Sequence, residues 1–189
     1  EALLDIVDSL IIGGGMCFTF LKAKGYSIGS SLCEDDMVDT CARLLASGKV
    51  IHLPSDIVAL GPGGKIGDPS AGGDVRQLGV NIPDGWMGLD IGPETVSRYT
   101  KVIDEARTVV WNGPMGAFET VPFDAGTRAI ARAVAGVTKR GGTTVVCGGD
   151  TAAAVAEFGM ADQYSHVSTG GGASLELLEG RKFESLEVL

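Results

Sequence analysis

Asp150 is the first residue whose type and setting suggest chemistry, because it is a single carboxylate in the segment VVCGGDTAAAV, residues 145–155. An apolar β-branched run and two glycines precede it, and Thr151 and a run of alanines suited to a helix follow it. Aspartate is a favoured N-cap residue, so the position alone predicts a helix cap. The same carboxylate could hold Mg²⁺ over a phosphate, since Mg²⁺ is commonly bound by one carboxylate plus substrate phosphates.

Four glycine-rich segments follow apolar runs: LIIGGG, VVWNGP, VVCGGD and HVSTGGG. In an open α/β fold the carboxyl ends of parallel strands lie at one edge, where ligands bind. Glycine lets backbone N–H groups approach a ligand, and the start of a following helix adds unpaired donors and partial positive charge. Any one segment could be only a tight turn, but together they predict a phosphate-binding crevice. Asp150 is the only acid inside these segments.

The rest of the chain predicts the elements that must position this crevice. Apolar spacing indicates helices over EALLDIVDS, DMVDTCARLLASG, PETVSRYTKVIDEA, FDAGTRAIARAVAGV, TAAAVAEFG and the end of SHVSTGGGASLELLEG. Strands are indicated over LII, KVIHLPSDIVAL, TVVW, TTVV and SHV. Residues 61–84 are expected to form a long surface loop or a small hairpin. We expect one domain over residues 1–189, with a Rossmann-like three-layer α/β/α fold and an open parallel sheet.

Composition and motifs exclude several classes of function. The net charge of −9, with no basic stretch, argues against binding to nucleic acid or to an anionic membrane. No apolar run reaches the ~20 residues that span a bilayer, and no signal peptide is recognisable, so we expect a cytoplasmic or organellar protein. The missing GxGxxG and GxxxxGK[ST] patterns disfavour a dinucleotide-binding dehydrogenase and a P-loop protein.

The cysteines are expected to be free thiols rather than metal ligands. Four are present, none in a CxxC pair, and the chain has only two histidines. This gives a zinc site little support, and buried free thiols fit a reducing compartment. The four positions are Cys17, Cys33, Cys41 and Cys147.

Five motifs occur in order between Ile11 and Gly180: IIGGGMCFTFLK, GWMGLDIGPET, VVWNGPMGAFE, GGDTAAAV and SHVSTGGGASLELLEG. Together they resemble the C-terminal, nucleotide-binding domain of the phosphoglycerate kinase family. The resemblance implies reversible phosphoryl transfer from 1,3-bisphosphoglycerate to ADP, giving 3-phosphoglycerate and ATP, with Mg²⁺ as cofactor.

The resemblance also assigns expected roles to individual residues. The positions that match the family's apolar adenine slot are Gly13, Gly14, Gly88 and Leu89. Those that match its contacts to phosphates and nucleotide are Asn112, Gly113, Pro114, Met115 and Phe118, with Glu119 at the ribose. Asp150 matches the magnesium ligand and Thr151 a phosphate contact. Backbone donors facing the transferred group are expected at Gly148 and Gly149, and at Gly170, Gly171 and Gly172 within Thr169–Ser174.

Three departures from the family pattern shape the expectation. The family's N-terminal domain, with a basic phosphoglycerate site and an arginine, is not in this sequence, and neither is a GGAKVxxK-like strand. Cys147 replaces the first glycine of GGGDT. We therefore expect these residues alone to bind Mg-ADP or Mg-ATP weakly, as a monomer, without turnover. The alternative is a non-catalytic nucleotide-binding module that retains the motifs.

Overall fold

A computed structural model describes residues 2–68, 72–168 and 170. Its helices are α1 Ala2–Ile6, α2 Met16–Ala23, α3 Val38–Ala46, α4 Pro93–Glu105, α5 Ala125–Lys139 and α6 Gly149–Glu157. Short 3₁₀ turns lie at Asp35–Met37 and Ala161–Gln163. The strands are β1 Leu10–Ile11, β2 Ile51–His52, β3 Asp56–Leu60, β4 Val75–Gly79, β5 Met87–Ile91, β6 Thr108–Asn112, β7 Thr143–Cys147 and β8 His166–Ser168.

The described strands form two parallel sheets and one antiparallel sheet. Strand β1 pairs with β2 in parallel, and β6, β7 and β8 form a parallel sheet in that order. These sheets and the intervening helices confirm the expected α/β class. The antiparallel sheet, in the order β4–β3–β5, was not predicted as a sheet. The segment 61–84 contributes one strand, β4, and this strand pairs with β3, which precedes the segment, rather than with a second strand inside it.

Two elements of the fold lacked a recognisable sequence pattern. Helix α2 buries five consecutive residues, Cys17–Leu21, so it has no polar stripe from which a helical period could be read. Strand β5 contains Gly88, whose missing Cβ leaves room for the ring of Phe18; a Cβ would lie 2.5 Å from two ring atoms. Tight packing against α2 therefore explains a glycine within this strand.

Buried side chains of the described residues form two clusters, and a hydrogen bond links Tyr99 of one to Ile12 of the other. One surrounds α4 and α5 and the parallel sheet β6–β8, and the other surrounds α2 and β3. Tyr99 is fully buried, and its hydroxyl donates to the carbonyl of Ile12, 2.7 Å away. This bond ties α4 to the chain that enters the first glycine segment.

Helix α4 starts with an anchor built from Asp56 and Thr95. Pro93 occupies the first helical position, as predicted. The buried Asp56 carboxylate accepts the N–H groups of Glu94 at 3.1 Å and Thr95 at 2.7 Å. In return, the Thr95 hydroxyl accepts the N–H groups of Ser55 and Asp56. The side chains thus satisfy donors that a helix start would otherwise leave unpaired.

The four cysteines are free, and Cys17, Cys41 and Cys147 are buried, while Cys33 is half-buried. Burial raises the pKa of the Cys17 thiol to about 12, so that it stays protonated at neutral pH. Cys147 ends β7 inside the core and is 1% exposed. Within the described ranges, no helix is both long and apolar enough to cross a membrane.

Candidate functional site

The predicted glycine segments converge at one edge of the parallel strands. Asn112, Cys147 and Ser168 end β6, β7 and β8 and are aligned in register. The segment after β1 reaches this edge because Gly14 donates its N–H to the carbonyl of Met115, 3.1 Å away. Of the fourth segment, Gly170 is described; Thr169, Gly171, Gly172 and Ser174 lie outside the described residues.

Gly13 and Gly14 lie against the loop 113–119. A Cβ on Gly13 would overlap Sδ of Met115, and a Cβ on Gly14 would lie 2.5 Å from the carbonyl oxygen of Pro114. Gly14 also has a φ of +59°, a conformation that side-chain-bearing residues rarely adopt. The structure thus brings two glycines of the predicted adenine slot into contact with Pro114 and Met115, two of the predicted nucleotide contacts.

Leu89 contacts the same loop through its backbone. Its carbonyl accepts the N–H of Ala117 at 2.8 Å, and its side chain is half-buried. Gly88 is buried, and the Phe18 ring fills the space beside it. Phe118 is buried as well, whereas Glu119 is exposed and could reach a ligand. Leu89 and Glu119 therefore remain accessible to a nucleotide, while Gly88 and Phe118 belong to the packing beneath.

The polar side of the site joins the end of β6 to the start of α6. The N–H of Gly113 donates to the Thr151 hydroxyl at 2.7 Å. Asn112 is exposed, and its Oδ1 lies close to Gly148: a Cβ on Gly148 would be 2.6 Å from it. Thr151 is fully buried, so its hydroxyl holds the loop rather than facing solvent.

Asp150 does not cap α6, so the cap interpretation is wrong. The helix begins at Gly149, and Gly148 is the N-cap with a φ of +91°. Only glycine takes this left-handed conformation readily, which is why the cap lies two residues earlier than predicted. Asp150 is an exposed residue of the first turn, and no described side chain caps the helix.

The start of α6 offers backbone donors to an anion. Ala152 is the first residue of the helix whose N–H bonds back along the chain, to the carbonyl of Gly148 at 2.9 Å. Within the described ranges, the N–H groups of residues 149–151 have no partner, as expected for an uncapped helix start. A Cβ on Gly149 would meet nothing within 4 Å, so the space beside these donors is open.

Asp150 is the predicted magnesium ligand of this region. Among the residues with assigned positions, no group of three or more His, Cys, Asp or Glu side chains could hold a metal ion. Asp150 is exposed next to the free N–H groups, which suits the arrangement in which one carboxylate and substrate phosphates share Mg²⁺. The donor set therefore fits Mg²⁺ bound together with a polyphosphate, rather than a metal bound by protein alone.

Two buried residues of this region, Asp90 and Thr127, were missed by the sequence analysis. Asp90 is 2% exposed, and its carboxylate accepts N–H groups from Gly126 at 2.7 Å and Ile91 at 2.9 Å. Burial raises the pKa of this carboxyl to about 7; the charge of Asp124 adds to the shift, and the two N–H groups oppose it. A lone acid within the apolar run of GWMGLDIG was the available signal.

Thr127 is fully buried in the first turn of α5. Its hydroxyl accepts the N–H of Met115 at 3.0 Å and that of Gly116 at 3.2 Å. Nothing in FDAGTRAIARAVAGV distinguishes this threonine from others, because its partners belong to the preceding loop.

Comparison with known proteins identifies relatives along the whole chain. The family model described as phosphoglycerate kinase matches residues 1–181. Curated phosphoglycerate kinases from Nocardia farcinica and Mycolicibacterium smegmatis are each 53% identical over 193 residues. These matches cover all of this chain but 45% and 46% of the relatives, so the chain spans slightly less than half their length.

Solved structures agree with the sequence relatives. The phosphoglycerate kinase of Coxiella burnetii aligns with a TM-score of 0.88 at 40% identity, covering 100% of this chain and 47% of the other. The enzyme of Pyrococcus horikoshii aligns with a TM-score of 0.79 over 100% of this chain and 48% of the other. The two sequences are 24% identical, and at this low identity the match supports a likeness in fold alone.

Proposed function

Because the chain belongs to the phosphoglycerate kinase family, we propose that it is the C-terminal, nucleotide-binding part of such an enzyme. In the whole enzyme it would hold ADP or ATP while a phosphoryl group passes between ADP and 1,3-bisphosphoglycerate. The observation that carries this proposal is the contact between three glycine segments at one sheet edge, beside an uncapped helix start.

The nucleotide would lie across the loop 113–119. The adenine would pack against Gly13, Gly14 and Leu89, and the ribose would reach Glu119. The phosphates would then meet Asn112 and the N–H groups of residues 149–151. This order follows the apolar-to-polar progression of the site, because the helix start and its free donors favour anionic groups.

Positioning and electrostatics would supply the catalysis of phosphoryl transfer, which needs little covalent help from a protein. The backbone donors of residues 148–151 would bind negative charge on the phosphates, and the corresponding donors of the Thr169–Ser174 segment stay a prediction. Asp150 would hold Mg²⁺, which supplies charge neutralisation on the phosphate oxygens when bound. A monomeric state, a cytoplasmic location and the lack of turnover by these residues alone also stay predictions.

We expect this chain to bind Mg-ADP more tightly than Mg-AMP, because the helix start of α6 interacts with the distal phosphate that AMP lacks. Isothermal titration calorimetry with the two nucleotides and excess Mg²⁺ measures the difference, and adenosine provides the phosphate-free control. Equal affinities for Mg-ADP, Mg-AMP and adenosine would contradict a polyphosphate site at α6.

Replacement of Gly149 by alanine should separate the ligand role of this glycine from its structural role. The new methyl group meets nothing within 4 Å, so the free energy of unfolding should rise by about 0.5–1 kcal/mol. The methyl group would obstruct close approach of a phosphate to the backbone, so Mg-ADP affinity should fall about tenfold. Calorimetry and urea unfolding measure the two effects.

Gly136→Ala is the matched control for this substitution. Gly136 lies in α5, and an added Cβ would approach only the flexible end of the Arg140 side chain, at 3.1 Å. It should change stability in the same direction while leaving Mg-ADP affinity unaltered. Equal nucleotide affinities in the Gly149 and Gly136 variants would show that Gly149 does not contact the phosphates.

A further inference from the structure

The loop 113–119, at the centre of the proposed nucleotide site, is held by hydrogen bonds to a side chain of α5. The two N–H groups at its turn, those of Met115 and Gly116, both donate to the hydroxyl of Thr127. Thr127 is 0% exposed, so no water replaces it as their acceptor. Two otherwise unpaired backbone donors thus depend on one side-chain oxygen.

Asp90, in β5, lies against both the loop 113–119 and the start of α5. A Cβ on Gly116 or on Gly126 would overlap its carboxyl group, so both glycines lie directly against it. The carboxylate accepts the N–H of Gly126, the second residue of α5. Asp90 therefore fixes the start of α5, and with it the position of Thr127, relative to β5.

These contacts reach the residues proposed to bind the adenine. The carbonyl of Met115 accepts the N–H of Gly14, and the N–H of Ala117 donates to the carbonyl of Leu89. Sδ of Met115 also fills the space beside Gly13. A shift of Met115 would consequently displace Gly13 and Gly14, and a shift of the whole loop would also change the contact between Ala117 and Leu89.

We propose that Thr127, supported by Asp90, is a positioning residue for nucleotide recognition that fixes the loop 113–119 before a nucleotide binds. This inference rests on the proposed function, because the proposed function is what assigns a nucleotide to the loop. Thr127 has no contact with the nucleotide in this arrangement; it acts through Met115 and Gly14. A pre-positioned loop raises affinity because less conformational freedom is lost when the ligand binds.

The start of α4 provides an internal comparison for this role. Thr95, like Thr127, is the third residue of its helix, is fully buried and accepts two backbone N–H groups. Asp56, like Asp90, accepts the N–H of the second helical residue. The donors held by Thr95 belong to Ser55 and Asp56 at the start of β3, so this anchor does not hold the loop 113–119.

The test compares Thr127→Val, Thr127→Ser and Thr95→Val in this chain. Valine keeps the shape of threonine but leaves two buried N–H groups unpaired, whereas serine keeps the hydroxyl. We expect Thr127→Val to weaken Mg-ADP binding about tenfold, and Thr127→Ser and Thr95→Val to stay within about twofold of the original chain. Calorimetry well below the unfolding temperature of each variant measures these affinities, and circular dichroism verifies that each is folded.

Amide hydrogen exchange without nucleotide gives an independent readout. In Thr127→Val the amides of Gly14 and Ala117 should exchange faster than in the original chain, and in Thr95→Val they should not. Unchanged exchange at both amides, or Mg-ADP affinity equal to that of Thr95→Val, would overturn the positioning role alone. Absence of Mg-ADP binding by the original chain would overturn the proposed function, and with it the ligand assigned to the loop.

Discussion

Replacing Asp150 by alanine should remove most of the dependence of ADP binding on Mg²⁺. In the proposed site this carboxylate is the only protein ligand of the metal among the described residues, so affinity in the presence of Mg²⁺ should fall at least about tenfold. Affinity for metal-free ADP should stay equal or rise slightly, because a negative charge near the phosphates is removed. The ratio of the two dissociation constants should therefore approach one.

Calorimetric titration of ADP, with excess Mg²⁺ or with EDTA, measures this ratio. Glu157→Ala is the matched control, because it removes the same charge from the other end of the same helix. That variant should keep the full effect of Mg²⁺. A ratio in Asp150→Ala equal to that in Glu157→Ala would show that Asp150 does not bind the metal.

Replacing Asp90 by asparagine should change how stability depends on pH. The pKa of Asp90 is raised from its ordinary value of 3.8 to about 7 in the folded chain, mainly by burial. Between these values the folded state binds more protons than the unfolded state, so this residue makes stability fall as pH rises. Above about pH 7 the full cost of burying the charge is present, and below about pH 4 it is absent.

Asparagine does not titrate, so its variant lacks this contribution at every pH. At about 1.4 kcal/mol per pKa unit, the stability of the original chain relative to the variant should decrease by roughly 2 to 4 kcal/mol between about pH 4.5 and 7.5. The variant also carries a pH-independent cost of about 1–3 kcal/mol, since its NH₂ group replaces an oxygen that accepts a backbone N–H. A difference profile isolates the titration from this constant cost.

Urea unfolding of both proteins across this pH range supplies the profile, and equal m-values establish that the same transition is compared. Asp124, with its partner Arg128 at 2.9 Å, is the charged neighbour that acts on Asp90, and it is present in both proteins. A stability difference that stays constant with pH would show that the buried carboxyl ionises as readily as in the unfolded chain.

Much of the fold could be predicted because it depends on local patterns. Short apolar runs became β6 and β7, and amphipathic spacing became α3, α4 and α5. Helix α2 and strand β5 could not be predicted in this way, since α2 buries five consecutive residues and β5 contains a glycine whose missing Cβ leaves room for Phe18. Both depend on packing between segments distant in the chain.

In the candidate site, too, features with a local pattern could be predicted and features that depend on distant contacts could not. Glycines after strand-like runs predicted that these segments meet at one edge, because parallel strands bring their ends together. The structure supplied the individual contacts, those of Gly14 with Met115 and of Gly113 with Thr151. The capping role of Asp150 was wrong because Gly148 adopts the left-handed conformation at the cap. Asp90 escaped notice because its partner Gly126 is 36 residues away.

By itself, then, the sequence determined the strands and helices that have a clear local pattern, the places where glycine allows close backbone approach, and the lone acid that follows a glycine-rich strand end. Only the tertiary structure decided which donor meets which acceptor. Whether Asp90 is buried, and whether Thr127 holds the loop 113–119, depends on contacts between β5, α5 and that loop. Such contacts form only when the chain folds, because no local pattern specifies which distant backbone group a buried oxygen will meet.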